Sequence, residues 1–260
     1  MREWALVTGA SSGIGMELAR ILAREGWSLV ITARRIERLQ ELASHLREHY
    51  GVDVEPVQSD LSEPDGAPEL YREVREREIV PTILINNAGI GDLGSFAEMD
   101  LQRLVSMINI NCLSLAHLTR LFLPEIIAYG GGRILNLSSS AAFQPGPYMA
   151  VYYASKAFVQ SLSEALSEEL AGRGVTVTAL CPGPTRSEFQ IGARMDTEKY
   201  FAKPGIPTAQ EVAEYGYRAM IRGRRVAIHG LRFKLLLFIT RFLPRRTVVS
   251  AIRRLQESRE

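Results

Sequence analysis

The feature that most constrains the fold is a regular alternation of short apolar runs with longer amphipathic stretches. EWALVTG (3–9), SLVITA (28–33), VDVEPVQ (52–58), TILINNAG (82–89), GRILNLSS (132–139), VTVTALCPG (175–183) and RVAIHG (225–230) read as strands. Between them lie helical stretches ending near Arg24, running from Ile36 to Tyr50 and from about Pro64 to Glu78, and occupying about 101–128 and 151–171. Strands this apolar must be covered on both faces, and the intervening helices supply the cover. The pattern predicts a doubly wound α/β fold, a parallel sheet in a single domain, with ligands at the carboxyl ends of the strands. No repeat, low-complexity segment or linker interrupts it, and 260 residues suits one such domain.

The end of the first strand indicates what binds there. TGASSGIG places Gly9, Gly13 and Gly15 where the chain must turn sharply, with Ser11, Ser12 and Ile14 between them. Glycines let the backbone approach a pyrophosphate, and the following helix offers free N–H groups and the positive end of its dipole. A plain strand-to-helix turn has similar composition, so the motif gains its weight from closing a strand and opening a helix. At the end of the second strand, an acidic residue would hold an adenosine ribose and repel a 2′-phosphate. This chain has Ala33 followed by Arg34 and Arg35, and guanidinium groups grip phosphate oxygens, so the expected cofactor is NADP(H). Arg34, nearer the strand end, is the first choice for that role.

PGPYMAVYYASKAF (145–158) sets Tyr148, Tyr152 and Tyr153 upstream of Lys156. On a helix, residues three and four before a lysine both lie near its face, so geometry alone does not separate Tyr153 from Tyr152. Tyr148, two helical turns from Lys156, is expected to line a substrate side. The serine run Ser138, Ser139 and Ser140 leaves the register equally open.

These motifs together resemble the short-chain dehydrogenase/reductase family of the classical type, over most of the chain. TGASSGIG is similar to its GxxxGxG turn, NNAG (86–89) to its fourth-strand motif, and Tyr152-x-x-x-Lys156 to its YxxxK signature. The resemblance fixes the register: Tyr152 is the implied acid/base, Ser139 falls thirteen residues before it, and Tyr153 is left to packing. It also implies cofactor contacts from Asp60 and Leu61, from Asn87, Ala88 and Gly89, and from Pro182, Gly183 and Thr185. Asn111, in NINCLS, is implied as the helix-borne member of a proton relay, with Asn109 as its competitor. Ser187 stands where many relatives carry threonine, and keeps the hydroxyl.

The chemistry needs such a set. A ketone accepting hydride develops negative charge on oxygen and then takes a proton, and free tyrosine, with a pKa of about 10, is a reluctant donor at neutral pH. A lysine ammonium beside it favours the phenolate, and Ser139 can donate to the developing oxyanion. The implied activity is reduction of a ketone or aldehyde, or oxidation of the secondary alcohol. Two alternatives stand beside it: a dinucleotide-sensing protein without chemistry, and a membrane-associated acyl or steroid carbonyl reductase.

Composition excludes other classes. Net charge is only +2, which gives no nucleic-acid signature. Cys112 and Cys181 lie in apolar sequence and are expected as reduced thiols in the cytoplasm, with no secretory signal before Glu3. His45, His49, His117 and His229 have no metal-ligand spacing, so no metal is expected. The loop 186–206 is expected to cover the substrate, and Phe189, Ile191, Met195, Tyr200 and Phe201 make its pocket apolar. By resemblance, the helices near 101–128 and 151–171 build a dimer or tetramer.

Charge is uneven, however. Residues 222–260 carry 11 Arg and Lys against 2 Glu. Residues 231–260 read as an extension of the 1–230 domain: two helical stretches broken at Pro244, with Phe233, Leu236, Leu237 and Thr240 on one stripe and Leu235, Phe238, Ile239 and Phe242 widening it. So broad an apolar surface is expected to be buried on the domain, at a subunit interface, or against an anionic membrane through a peripheral contact.

Overall fold

The computed structural model describes residues 3–198 and 205–257. Tyr200 and Phe201 lie outside the described residues. Seven parallel strands, β1 (Trp4–Thr8), β2 (Ser28–Ala33), β3 (Val54–Gln58), β4 (Pro81–Asn86), β5 (Gly132–Leu137), β6 (Val175–Cys181) and β7 (Val226–Ile228), pair in the order β3-β2-β1-β4-β5-β6-β7. The order reverses between β1 and β4, and a crevice opens there at the carboxyl ends.

Side-chain alternation divides the core into two layers. Ala5 and Val7 of β1, Leu29 and Ile31 of β2, and Ile83 and Ile85 of β4 face one side. They pack on α1 (Gly13–Arg24), α2 (Ile36–Tyr50) and α8 (Ala209–Ile221), the helix that follows the short α7 (Phe189–Gly192). Leu6, Val30 and Leu84 face the other side, against α3 (Gly66–Glu76) and α5 (Ser114–Ala128). Strands apolar at every position are therefore a consequence of double coverage.

Three local features depart from the sequence reading. The stretch near 101–128 is not one α-helix: α4 (Leu101–Ile108) passes through a π turn (Asn109–Leu113) into α5. Long and apolar enough in composition to cross a bilayer, this stretch instead buries Leu118, Phe122 and Ile126 in the core. Helix α8 is absent from the sequence reading, although Thr208 and Glu211 form a reciprocal capping box at its start. Finally, α6 (Ala150–Glu169) begins after Tyr148, which has φ +63° and is not a helical residue at all.

The C-terminal segment forms α9 (Leu231–Thr240) and α10 (Arg245–Glu257), separated at Pro244 as expected. Leu237, Val248 and Gln256 are buried. Of the three expected modes of burial, packing on the domain accounts for Leu237 and leaves even its stripe neighbour Leu236 exposed in the single chain. Leu235, Phe238, Ile239 and Phe242 remain exposed within the single chain, because a helix apolar on all sides can lay only one face on its own domain.

Candidate active site

The crevice is a cavity of about 740 Å³ that runs from the Gly-rich turn to the C-terminal helices. Gly9, Ser11, Ser12, Gly13 and Ile14 line one end, with the N-terminus of α1 behind them. A Cβ on Gly15 would lie 2.3 Å from Asn87 Nδ2 and 2.5 Å from Gly9 O, so only glycine permits the packing of α1 against β4. Asn87 donates from Nδ2 to Thr8 O (2.8 Å) and Gly9 O (3.2 Å), while Thr8 Oγ1 accepts from the backbone N–H groups of Asn87 and Ala88 at 3.0 Å each. Asn87 thus serves as a tie between the two strand ends as well as lining the cavity. Thr8, missed in the sequence reading, is the other half of that tie.

The two arginines after β2 diverge, as successive side chains in extended backbone must. Arg34 points toward the end of β3, where its Nη1 is 3.9 Å from Asp60 Oδ2. Arg35 turns toward β1 and donates to Ser11 Oγ (3.0 Å) and Ser12 Oγ (3.2 Å). The guanidinium that reaches the Gly-rich turn is Arg35, while Arg34 lines the same cavity beside Asp60. Arg38, also unpredicted, stands one helical turn further on and lines the same end. Asp60, Leu61, Ala88 and Gly89 complete it.

At the middle of the cavity, Ser139, Tyr152 and Lys156 converge. Lys156 is buried, donates from Nζ to Leu137 O at 2.7 Å, and sits 5.9 Å from the centre of the Tyr152 ring. Burial pulls its pKa down to about 8. Ser139 Oγ accepts from Ala141 N at 3.1 Å. Tyr153 also borders the cavity, but its ring is buried, and its hydroxyl accepts from Gln256 Nε2 at 2.7 Å. Tyr148 does not line the cavity, contrary to expectation; its hydroxyl donates to Glu257 Oε1 at 3.2 Å.

Asn111 sits in the π turn, behind Gly89 at the cavity wall, where a Cβ on that glycine would meet its Oδ1 at 3.0 Å and Lys156 Nζ at 3.3 Å. Its Oδ1 accepts from Ile90 N, and its Nδ2 donates to Ile90 O and Ser155 Oγ, all at 2.9 Å. The side chain therefore fixes the loop after β4 to α6. Its competitor Asn109 donates to Ser62 O at 2.9 Å and holds another loop.

The far end of the cavity is apolar. Phe189, Ile191 and Met195 come from the covering loop, and Phe233, Leu236, Leu237, Ile252 and Leu255 from α9 and α10. Pro182, Gly183 and Thr185 join this end to the middle, and the Phe233 ring lies so close that a Cβ on Gly183 would come within 2.6 Å of it. Gln144 adds a polar group whose Oε1 is buried with no partner among the described residues. The loop is pinned from outside: Arg194 Nε donates to the buried Asp92 at 2.8 Å, and Arg103 donates to Gly91 O (2.8 Å) and Gly192 O (2.6 Å). Cys181 is buried, with its thiol pushed up to about 12 by desolvation, and burial raises Cys112 as well; both are free.

A glycine-cradled dinucleotide crevice that leads to a half-buried tyrosine and a buried lysine defines an oxidoreductase acting between CH–OH and C=O. Residues 3–198 match the short chain dehydrogenase family, and the chain belongs to the short-chain dehydrogenase/reductase family. Sulfoacetaldehyde reductase 2 of Chromohalobacter salexigens is 41% identical over 225 residues, which is 82% of this chain and 86% of that protein. A short-chain dehydrogenase from Sphingobium yanoikuyae, solved in complex with NADPH, superposes with a TM-score of 0.83 at 34% identity, covering 92% of this chain and 94% of its own. A short chain dehydrogenase/reductase from Burkholderia phymatum, solved in complex with NAD, superposes at 0.81 with 26% identity, covering 91% and 92%.

Proposed function

We propose that this chain is an NADP(H)-dependent reductase of ketones or aldehydes with bulky apolar substituents, with Tyr152 as the proton donor; the same site oxidises the secondary alcohol in reverse. The observation that carries the reading is one continuous cavity. An arginine-lined phosphate cradle closes one end, Tyr152, Lys156 and Ser139 occupy the middle, and apolar side chains line the other end.

The cradle suits a phosphorylated dinucleotide. Gly9 and Gly13 leave room for close backbone approach, Ser11 and Ser12 offer hydroxyls, and Arg35 and Arg38 offer the positive charge that a 2′-phosphate needs. Bound NADPH would supply the hydride. Tyr152 supplies the proton to the carbonyl oxygen, and Ser139 donates a hydrogen bond to that oxygen as charge builds on it. Lys156, with its pKa near 8, remains largely ammonium at neutral pH and favours the phenolate left behind. Asn111 acts through the loop it holds, as a positioning residue.

The described part of the substrate end offers hydrocarbon. That composition favours an apolar ketone over a small anionic aldehyde of the kind named for the relative in Chromohalobacter. The test is NADPH oxidation with a panel of aromatic and alicyclic ketones, straight-chain aldehydes and sulfoacetaldehyde. Turnover of the bulky ketones with NADPH ahead of NADH supports the reading. A preference for sulfoacetaldehyde removes the apolar substrate class, and no NADPH oxidation with any carbonyl removes the catalytic assignment.

The proposal extends to assembly and location. Leu101, Val105, Ile108 and Phe158 are exposed on α4 and α6, which suits a homo-oligomer built on those helices. Peripheral contact of α9 with membrane, next to Arg241, Arg245 and Arg246, is tested by sedimentation with phosphatidylglycerol vesicles at low salt, where a protein left in the supernatant removes it. The two free thiols suit the cytoplasm.

A further inference from the structure

The covering loop places a carboxylate inside the arginine-lined end of the cavity. Glu188 Oε2 accepts from Arg35 Nη1 at 2.9 Å, and Oε1 accepts from Arg38 Nη1 at 2.6 Å. The same Arg35 guanidinium donates to Ser11 and Ser12, so Glu188 is held between two guanidiniums, one of which also grips the Gly-rich turn. All five residues line the cavity. The Arg38 hydrogen bond, with Arg35 beside it, holds the Glu188 carboxyl below the ordinary range, so it is charged at neutral pH. Its neighbours in the chain are equally engaged. Ser187 Cβ would stand 3.3 Å from a Cβ on Gly13, over the phosphate turn, and the Phe189 ring lies 5.3 Å from that of Tyr152.

We propose that Glu188 is a specificity-determining residue that occupies the 2′-phosphate subsite as a surrogate anion, and that NADPH binds by displacing it. The inference rests on the NADP(H) reading above. Two guanidiniums without an anion repel one another, and Glu188 neutralises them when no phosphate is present. An incoming 2′-phosphate makes the same bidentate contacts more strongly, but it must first part the carboxylate from Arg35 and Arg38 and then tolerate it nearby. NADH carries no group for this subsite and leaves the Glu188 pairs in place. Glu188 therefore lowers affinity for NADPH specifically and narrows the preference that the arginines create. Because it sits between Ser187 and Phe189, its displacement also reaches the loop segment over Tyr152.

The test measures dissociation constants of NADPH and NADH for the full chain, wild type and Glu188→Gln, by nucleotide fluorescence at fixed ionic strength. Glu188→Gln keeps the side chain's size and removes only the charge, at a half-exposed position where folding does not depend on it. The expected result is NADPH binding tighter by on the order of tenfold, the scale of one partly screened charge pair at contact, with NADH changed by less than about twofold. NADPH binding that is unchanged or weaker in Glu188→Gln overturns the proposal, since the carboxylate would then support the arginines rather than compete for them. Arg35→Ala separates the two levels. If wild type prefers NADPH and Arg35→Ala abolishes that preference, the cofactor reading stands whatever Glu188→Gln does. If wild type shows no preference and Arg35→Ala changes nothing, the cofactor reading fails, and the role of Glu188 with it.

Discussion

The two ends of the cavity are built from different materials. The cofactor end rests on strand termini, glycines and side-chain-to-backbone hydrogen bonds that tie β1 to the loop after β4, with the Arg35, Arg38 and Glu188 cluster beside them. The substrate end is made by side chains from segments late in the chain, the covering loop and α9–α10, and the C-terminal helices lie beyond the 3–198 span that matches the family. A site set by backbone geometry admits little variation, whereas a wall of apolar side chains can be exchanged residue by residue at modest cost to stability. Reaction type is therefore held at one end and substrate choice at the other, with Tyr152 and Lys156 between.

The sharpest way to break this division is to exchange the roles of the two adjacent tyrosines. Tyr152→Phe should lower turnover by roughly 10²- to 10⁴-fold, while the dissociation constant for NADPH, followed by fluorescence, stays near the wild-type value. Tyr153→Phe should leave the chemistry almost intact. It removes the hydroxyl that accepts from the buried Gln256 amide, so the expected loss is in stability, about 1 kcal/mol for one hydrogen bond, read as a lower Tm. A dead Tyr153→Phe beside an active Tyr152→Phe would move the catalytic register by one residue.

A smaller effect is expected from pH. Burial lowers the Lys156 pKa to about 8, so the free enzyme should lose the ammonium as pH rises through that value. With NADPH limiting, kcat/KM is expected to fall about tenfold per pH unit on the alkaline side of pH 8, because that quantity reports groups of the free enzyme. Stability moves the opposite way. A lysine whose pKa is lower in the folded state binds fewer protons there than in the unfolded chain, so its contribution to stability grows from about pH 8 up to its ordinary value of 10.5 and is unfavourable below that window. An alkaline limb that persists unshifted in Lys156→Arg, whose guanidinium does not titrate there, would assign it to another group.

What was legible in the sequence divides along the same line. Gly9, Gly15 and Lys156 could be read because their chemistry needs one residue type at one spacing, and the strand–helix alternation put them at the carboxyl ends, whereas Tyr152 was separated from Tyr153 only by the family pattern. Arg34 and Arg35 both line the cavity, and proximity to the strand end says nothing about which side of it each side chain takes. Arg38 and Glu188 were invisible for a stronger reason: their pairing joins positions 150 residues apart. The same holds for Tyr153 and Gln256, separated by 103 residues. Tyr148 was placed by helical spacing from Lys156, although the helix was read from about 151, and its left-handed backbone puts it before the start of α6. Helix α8 had a legible start in Thr208 and Glu211, so that omission reflects a signal passed over and not one missing.

The finest test of the comparison is Phe233→Ala. Phe233 reaches the cavity from α9, with its ring against Gly183, and is only partly buried. Removing it should therefore cost less than the 3–5 kcal/mol of a fully buried aromatic, about 1–2 kcal/mol. The space it leaves opens the substrate end without touching Ser11, Arg35 or Tyr152, so NADPH affinity should stay within about twofold of wild type. Catalytic selectivity should shift instead: kcat/KM for the bulkiest ketone accepted should rise relative to the smallest by up to about tenfold, the low end of what a few methylene-sized contacts are worth in a partly open pocket. If the ratio between bulky and small ketones does not move while NADPH affinity falls, the C-terminal helices belong functionally to the cofactor end, and the division between the two ends is misdrawn.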